Sequence, residues 1–217
     1  ADRMGFAALY MTGYGISASH LGVADAGLVT YSDMVERART IASGTTTPLI
    51  ADADTGFGGL LNVDHTVRGY EAAGVQAIQL EDQEMPKRCG HQPGRRVVPL
   101  ADMLRKIEVA LAARSDADML LIARSDARSG HGIEEALKRG KAFAAAGADV
   151  VMLEGLAGEE EFARAGDAID APLMANMVPG SSSPMLDPET LARLGYRVLI
   201  YPAAGMAAAC AAMHEAY

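Results

Sequence analysis

The sequence predicts an α/β fold, a (β/α)₈ barrel with parallel strands inside and helices outside. Three observations point there. Short apolar runs alternate with amphipathic helical stretches along the whole chain, which is the pattern of a parallel sheet covered by helices. The runs are aliphatic and almost free of polar residues, as in strands buried on both faces. Nearly every run ends in polar or charged residues: Thr12, Asp52 and Asp54, Glu81 and Asp82, Arg124 and Asp126, Glu154, and Asn176. A doubly wound open sheet gathers its ligand residues at one or two switch points. A barrel draws them from the carboxyl ends of many strands, and the spread here favours the barrel.

The expected strands are residues 7–11, 49–53, 77–80, 119–123, 150–153, 173–175 and 198–201. Helical patterns fill the spaces between most of them. One spans 32–43 with a cap at Ser32, and one spans 62–73, opening on Asn62 and closing on Gly74. Others span 100–114, 132–146 (closing on Gly147), 159–168, 188–194 and 205–217. Seven strands are counted where a barrel needs eight. Asp2 to Gly5 reads as the end of a helix, so the expectation is a single catalytic domain over 1–217 whose first βα unit lies outside this chain. The stretches 83–99 and 178–188 are rich in Gly, Pro or Ser and follow strands, so they are candidate lids.

Composition narrows the function. A chain of 217 residues with 50% hydrophobic content can bury a sizeable core. A net charge of -9 offers no basic surface for nucleic acid. No apolar run is long enough to span a membrane and no signal peptide is visible, so a cytoplasmic location is expected. The two cysteines, Cys89 and Cys210, lack metal-type spacing. Cys210, in an Ala-rich helical run, reads as packing. His20, His65, His131 and His214 read as surface or packing residues.

Three constellations carry chemistry. Asp52 and Asp54 stand two apart at a strand end and project into the same space, where they repel unless a cation or proton intervenes. With Glu81 on the next strand and Asp25 in a nearby loop, they form an oxygen-only set suited to Mg²⁺ or Mn²⁺. Lys87-Arg88-Cys89-Gly90-His91 places a thiol among cations, neighbours that lower a thiol's pKa and fit it as nucleophile or proton donor. Arg124, at a strand end, is a bidentate clamp for a carboxylate substrate or for Asp126.

Together these residues resemble the isocitrate lyase/phosphoenolpyruvate mutase superfamily. The matching segments are Tyr10-Met11-Thr12-Gly13, Asp52 through Gly58, Asn62-Val63 with Thr66-Val67, Glu81-Asp82-Gln83, Pro86 through His91, Ala123 through Asp126, and Asn176 with Ser183-Pro184. The resemblance implies a Mg²⁺-dependent barrel of that type, usually a homotetramer with an exchanged C-terminal helix that would lie beyond Tyr217. The Lys-Arg-Cys-Gly-His box points to the carbon–carbon lyases, which cleave a 2-hydroxy di- or tricarboxylate by a retro-aldol step to pyruvate and a carboxylate. The resemblance gives Asp54 the metal, with Asp52, Glu81 and Asp25 reaching it through water. Thr12, Gly13 and Tyr14 would hold the substrate carboxylate, Arg124 would lie near the reacting oxygen, and Tyr10 would help take the hydroxyl proton. Cys89 would protonate the departing enolate. Lys87, Arg88 and His91 would tune the thiol and, once the loop closes, bind the far carboxylate, with Gly90, Glu154, Asn176 and Ser183 completing the pocket.

Within that branch the chain departs from the tricarboxylate lyases. It has Thr12-Gly13-Tyr14 where they carry Ser-Gly-Gly, and Met152-Leu153-Glu154 where they carry Phe-Pro-Glu or similar. It also lacks the Glu of Asn-x-x-Glu-x-Gly after Asn176. The expected substrate is therefore a small carboxylate of the 2-methylmalate or 2,3-dimethylmalate type, ahead of 2-methylisocitrate. Oxaloacetate hydrolysis, carboxyphosphonoenolpyruvate phosphonomutase chemistry and non-catalytic dicarboxylate binding are the alternatives.

Overall fold

The computed structural model describes all residues from Ala1 to Tyr217. Seven parallel strands form one sheet in chain order: β1 (Leu9–Met11), β2 (Leu49–Asp52), β3 (Ala77–Glu81), β4 (Leu120–Ser125), β5 (Val150–Leu153), β6 (Leu173–Asn176) and β7 (Tyr196–Ile200). In-order parallel pairing is the barrel arrangement, and β7 and β1 are the two strands at its unpaired edges. The helices are α1 (Gly13–Ile16), α2 (Tyr31–Gly44), α3 (Leu60–Ala72), α4 (Leu100–Ala113), α5 (Arg128–Ala145), α6 (Glu159–Ala168), α7 (Pro188–Arg193) and α8 (Ala204–Ala216). None is long and apolar enough to cross a membrane.

The period-two alternation of the strands sorts their side chains into two cores. Leu49, Ile78, Leu80, Leu121, Val151 and Leu173 face outward and pack with Met34, Val67, Met103, Ile107 and Phe143 of the helices in a cluster of 37 buried residues. Their neighbours face the barrel axis: Ile50, Ala77, Ile122, Val150, Met152, Met174 and Ile200 form a separate cluster of 7. Two residues further along the same strands come Asp52, Gln79, Arg124, Glu154 and Asn176, with Glu81 two beyond Gln79. The inner face is therefore an apolar floor under a polar rim.

Some element boundaries differ from the sequence reading. The cap of α2 is Thr30 rather than Ser32, in a reciprocal box with Asp33. The helix expected from Asn62 begins at Leu60, and Asn62 turns back to accept from the Gly59 N–H. The helix expected from 132 is preceded by a turn from Arg128, with Gly132 at φ 81 marking the kink. The short α1 and the π-helical turn Ser17–Leu21 were not foreseen. Every residue of α8 is at least partly exposed, so Cys210 lies on the surface and is not packing as expected.

Candidate active site

The carboxyl ends of the strands open into a cavity of about 300 Å³, a size suited to a small ligand. At one end stand the carboxylates. Asp52 ends β2, whose carbonyl there accepts from the buried Tyr70 hydroxyl of α3 at 2.9 Å. Its side chain accepts from the N–H of Gly13 and of Asp54, each at 3.0 Å. A Cβ on residue 13 would sit 2.9 Å from Asp52 Oδ2, so this approach requires glycine. The Gly13 N–H is thereby committed to Asp52, which corrects the expectation that it holds a substrate carboxylate. Asp54 adopts φ 47, a left-handed conformation that costs a non-glycine residue roughly 1 kcal/mol or more.

Lys87 Nζ lies 2.6 Å from Asp25 Oδ1 and 2.6 Å from Asp54 Oδ1. Burial pushes the Asp54 carboxyl up to about 7, with the Lys87 ammonium offsetting part of that rise. Burial alone would depress the ammonium, but Glu81, Asp54, Asp52 and Asp25 outweigh it and raise its pKa. Lys87 thus stands between the cavity and Asp54, and the carboxylates that line the cavity are Asp25, Asp52 and Glu81. No three His, Cys, Asp or Glu side chains converge closely enough to form a metal cage. The donor set nonetheless fits a hard cation that keeps most of its waters. It is built of carboxylate oxygens alone. Glu81 Oε1 is buried with no hydrogen-bond partner, and burial raises the Glu81 pKa well above its usual value, a cost a bound cation would relieve.

At the centre, Arg124 ends β4. Its Nε and Nη2 each donate to Asp126 at 2.9 Å, a bidentate fork. Glu81 and Glu154 lie 3.5 and 3.7 Å from the same guanidinium. Asp126 is fixed in turn: its backbone N–H donates to Asp82 at 2.9 Å, and Asp82 also accepts from Ser125 Oγ and from Arg139 of α5. The sequence reading named Asp126 as a partner but missed Arg139, which reads there as one more charge on an exposed helix. Tyr10 points into the same space from β1. Its phenol is pushed well above 10, by burial first and by the Asp52 charge second. In its neutral form it can donate a hydrogen bond into the cavity.

The Cys89 loop closes the other side. The Cys89 N–H donates to the Asp25 carbonyl at 3.1 Å, and Cys89, Gly90, His91 and Gln92 line the cavity. A Cβ on residue 90 would fall on the Arg124 guanidinium and 3.2 Å from Glu154 Cγ. The thiol is half-buried. Burial raises its pKa above the usual value despite Arg124 and Lys87 nearby. This reverses the expected lowering, because burial outweighs the nearby cations and the Asp25 charge adds to the rise. Arg88 is also lost as a neighbour: it is exposed and donates to the Pro93 carbonyl at 3.0 Å, away from the cavity. With the loop in this arrangement Arg88 does not reach the cavity.

The remaining wall comes from the loops after β6 and β7. Asn176 donates to Glu154 at 3.0 Å. Val178, Pro179, Ser181 and Ala203 line the cavity, as do Thr12 and Tyr14 across from them. Ser183, expected in the pocket, instead engages Ser181 through its backbone, and Ser181 is the serine that faces the ligand space.

The sequence profile of the phosphoenolpyruvate phosphomutase family matches residues 1–217, the whole chain. The chain belongs to the phosphoenolpyruvate mutase/isocitrate lyase superfamily. Among curated members, it is 51% identical over 211 residues to the 2,3-dimethylmalate lyase of Eubacterium barkeri, covering 97% of this chain and 73% of that protein. It is 43% identical over 202 residues to a 2-methylisocitrate lyase of Aeropyrum pernix, covering 93% of this chain and 65% of that one. Among solved members, an oxaloacetate acetylhydrolase bound to 3,3-difluorooxalacetate superposes with a TM-score of 0.95 at 41% identity, covering 99% of this chain and 74% of that chain. A phosphonopyruvate hydrolase holding oxalate and Mg²⁺ superposes with a TM-score of 0.86 at 36% identity, covering 98% and 74%. The nearly closed parallel barrel is thus that of the superfamily, and this member stands among its carbon–carbon lyases.

Proposed function

We propose that the chain cleaves a 2-hydroxy dicarboxylate of the substituted-malate class to a 2-oxo acid and a second carboxylate, with Cys89 as the general acid. The observation that carries this reading is the set of groups that share one cavity. Asp25, Asp52 and Glu81, carboxylates suited to a divalent cation, line it together with Arg124 and with Cys89, a thiol that burial keeps protonated.

Cleavage breaks the C2–C3 bond, and the bonding pair passes to the fragment that leaves as an enolate. Cys89 can give that carbon a proton only as the neutral thiol, which is the form its burial favours. Arg124, held rigid by Asp126, is placed to stabilise developing oxyanion charge without reorganising. Tyr10 can donate a hydrogen bond to the hydroxyl oxygen, and a carboxylate of the cluster takes the hydroxyl proton. A Mg²⁺ ion would be held by Asp25, Asp52 and Glu81, with Asp54 joining them where Lys87 gives way, and would polarise the substrate's 2-oxygen and carboxylate when bound.

The dicarboxylate preference rests on the cations. Lys87 is committed to Asp25 and Asp54, and Arg124 to Asp126 and its two glutamates, while Arg88 faces solvent. His91 is the one basic side chain on the cavity wall outside those pairs. The opposite wall of Val178, Pro179 and Ala203 suits methyl groups better than a third carboxylate. The likeness to oxaloacetate acetylhydrolase supports a second reading, hydrolysis of oxaloacetate to oxalate and acetate.

The test is pyruvate release, with and without Mg²⁺, from 2-methylmalate, 2,3-dimethylmalate and 2-methylisocitrate, alongside oxalate release from oxaloacetate. Turnover of the malates is expected, and Cys89→Ser should lower it by about 10²–10⁴-fold. Turnover of oxaloacetate alone would replace the lyase reading with the hydrolase one.

A further inference from the structure

Arg95 lies outside the cavity wall, yet its guanidinium is buried where three elements meet. Its Nη1 donates to the Gly90 carbonyl in the middle of the Cys89 loop, and also to Asp126 Oδ1 at 3.1 Å. Its Nη2 faces the turn after β5, where residue 155 is a glycine at φ 80; a Cβ there would come within 3.3 Å of it. The side chain is 3% exposed. Asp126 is the carboxylate that forks Arg124, so one side chain touches both the loop that carries the thiol and the residue that sets the central cation.

The base of the loop does not need this contact. Gln83 holds Arg88 by two hydrogen bonds, at 2.9 and 3.0 Å. Gln83 also bridges to Val97, while Glu84 N–H donates to Arg96 O and Val98 N–H to Asp82 O. The tip from Cys89 to His91 is fixed differently. On one side the Cys89 N–H meets the Asp25 carbonyl, and on the other the Gly90 carbonyl meets Arg95. The first of these is a single neutral hydrogen bond, and the second is charge-assisted and anchored to a buried carboxylate.

We infer that Arg95 is a positioning residue that latches the Cys89 loop onto Asp126, so that the thiol and the Arg124 guanidinium are set by one shared anchor. The consequence for catalysis rests on the lyase reading above, but the latch itself is testable without it.

The experiment is iodoacetamide labelling of the full chain well below its melting temperature, with the rates at Cys89 and Cys210 read separately by peptide mass spectrometry. Arg95→Met leaves Asp126 its fork with Arg124, so the buried charge stays paired. It should speed labelling of Cys89 at least about tenfold, the factor that corresponds to about 1.4 kcal/mol of loop opening, with Cys210 unchanged as the internal reference. Arg95→Lys keeps a charge on a shorter side chain without the planar guanidinium that packs against the turn at Gly155, so it should fall between wild type and Arg95→Met. If turnover is found, both variants should lower kcat more than they raise KM. A residue with a merely structural role would lower the melting temperature and leave the Cys89 rate where it was. That result in either folded variant overturns the latch. Faster labelling in a protein whose wild type releases no pyruvate would keep the latch and remove the lyase reading.

Discussion

The barrel's inner face is two surfaces built from the same strands, and they obey opposite rules. On the floor, Ile50, Ile122, Val150, Met152 and Met174 pack together in one apolar cluster. Two residues beyond Ile50, Ile122 and Met152, about 6.6 Å along each strand, Asp52, Arg124 and Glu154 are buried just as completely yet bear ionisable groups, and Glu81 does the same four residues beyond Ala77. The floor is stable because removing apolar surface from water is favourable. The rim is tolerated because its groups have fixed polar partners: Arg124 stands within reach of Glu81 and Glu154 and is forked by Asp126, and Asp52 accepts two backbone N–H bonds; replacing one charged partner leaves another in a low dielectric. Side chains that differ by one step of the pleat therefore separate stability from chemistry.

The largest blow to this contrast is Arg124→Met, which imposes the floor's chemistry on the rim. It strands Glu81 and Glu154 and leaves Asp126 with Arg95 alone. The expected cost is about 3–5 kcal/mol in urea unfolding, with turnover down by about 10²–10³-fold in the protein that remains folded. Wild-type stability in that variant would mean the rim charges are hydrated rather than mutually paired. Met152→Ala probes the other surface. It should cost about 2–5 kcal/mol by leaving a void, with kcat per folded molecule preserved; a large loss of kcat would show that floor and rim are mechanically coupled.

The smallest effect belongs to the residue on the border. Gln79 is completely buried between Ala77 and Glu81, and neither end of its amide meets a protein partner. Gln79→Leu extends the floor upward by one residue and should raise stability by about 1 kcal/mol, since an unpaired buried amide is costly. A lower unfolding midpoint instead would show that ordered water satisfies the amide and that the rim begins one layer deeper.

Much of this arrangement was legible before the structure. Strand ends such as Asp52, Glu81 and Arg124 stand out because polar groups following an aliphatic run have to go somewhere, and in a parallel barrel that place is the carboxyl mouth. Direction was not legible. Lys87 and Arg88 are equivalent in sequence, but adjacent residues on non-helical backbone point opposite ways, so one is buried between two carboxylates and the other is exposed. Long-range partners were invisible for a similar reason. Arg95 and Arg139 sit in a Gly-rich loop and a charged helix, where an arginine usually faces water, and only folding reveals that Asp126 and Asp82 claim them. The sign of the Cys89 shift was misjudged because charge next to the thiol in sequence was counted as charge next to it in space. The Thr30–Asp33 box, by contrast, was readable and overlooked: its Thr-x-x-Asp spacing starts α2 two residues before Ser32.

Gly90 sets the tolerance of the whole mouth. Its α-hydrogen occupies the clearance between the loop backbone and the Arg124 and Glu154 side chains, which is too narrow for a Cβ. The fit between loop and barrel is therefore gauged to one hydrogen atom. Any bulkier group would wedge the loop off its seat, letting solvent reach the thiol and the guanidinium together, so this bare stretch of backbone serves the cavity as its gasket.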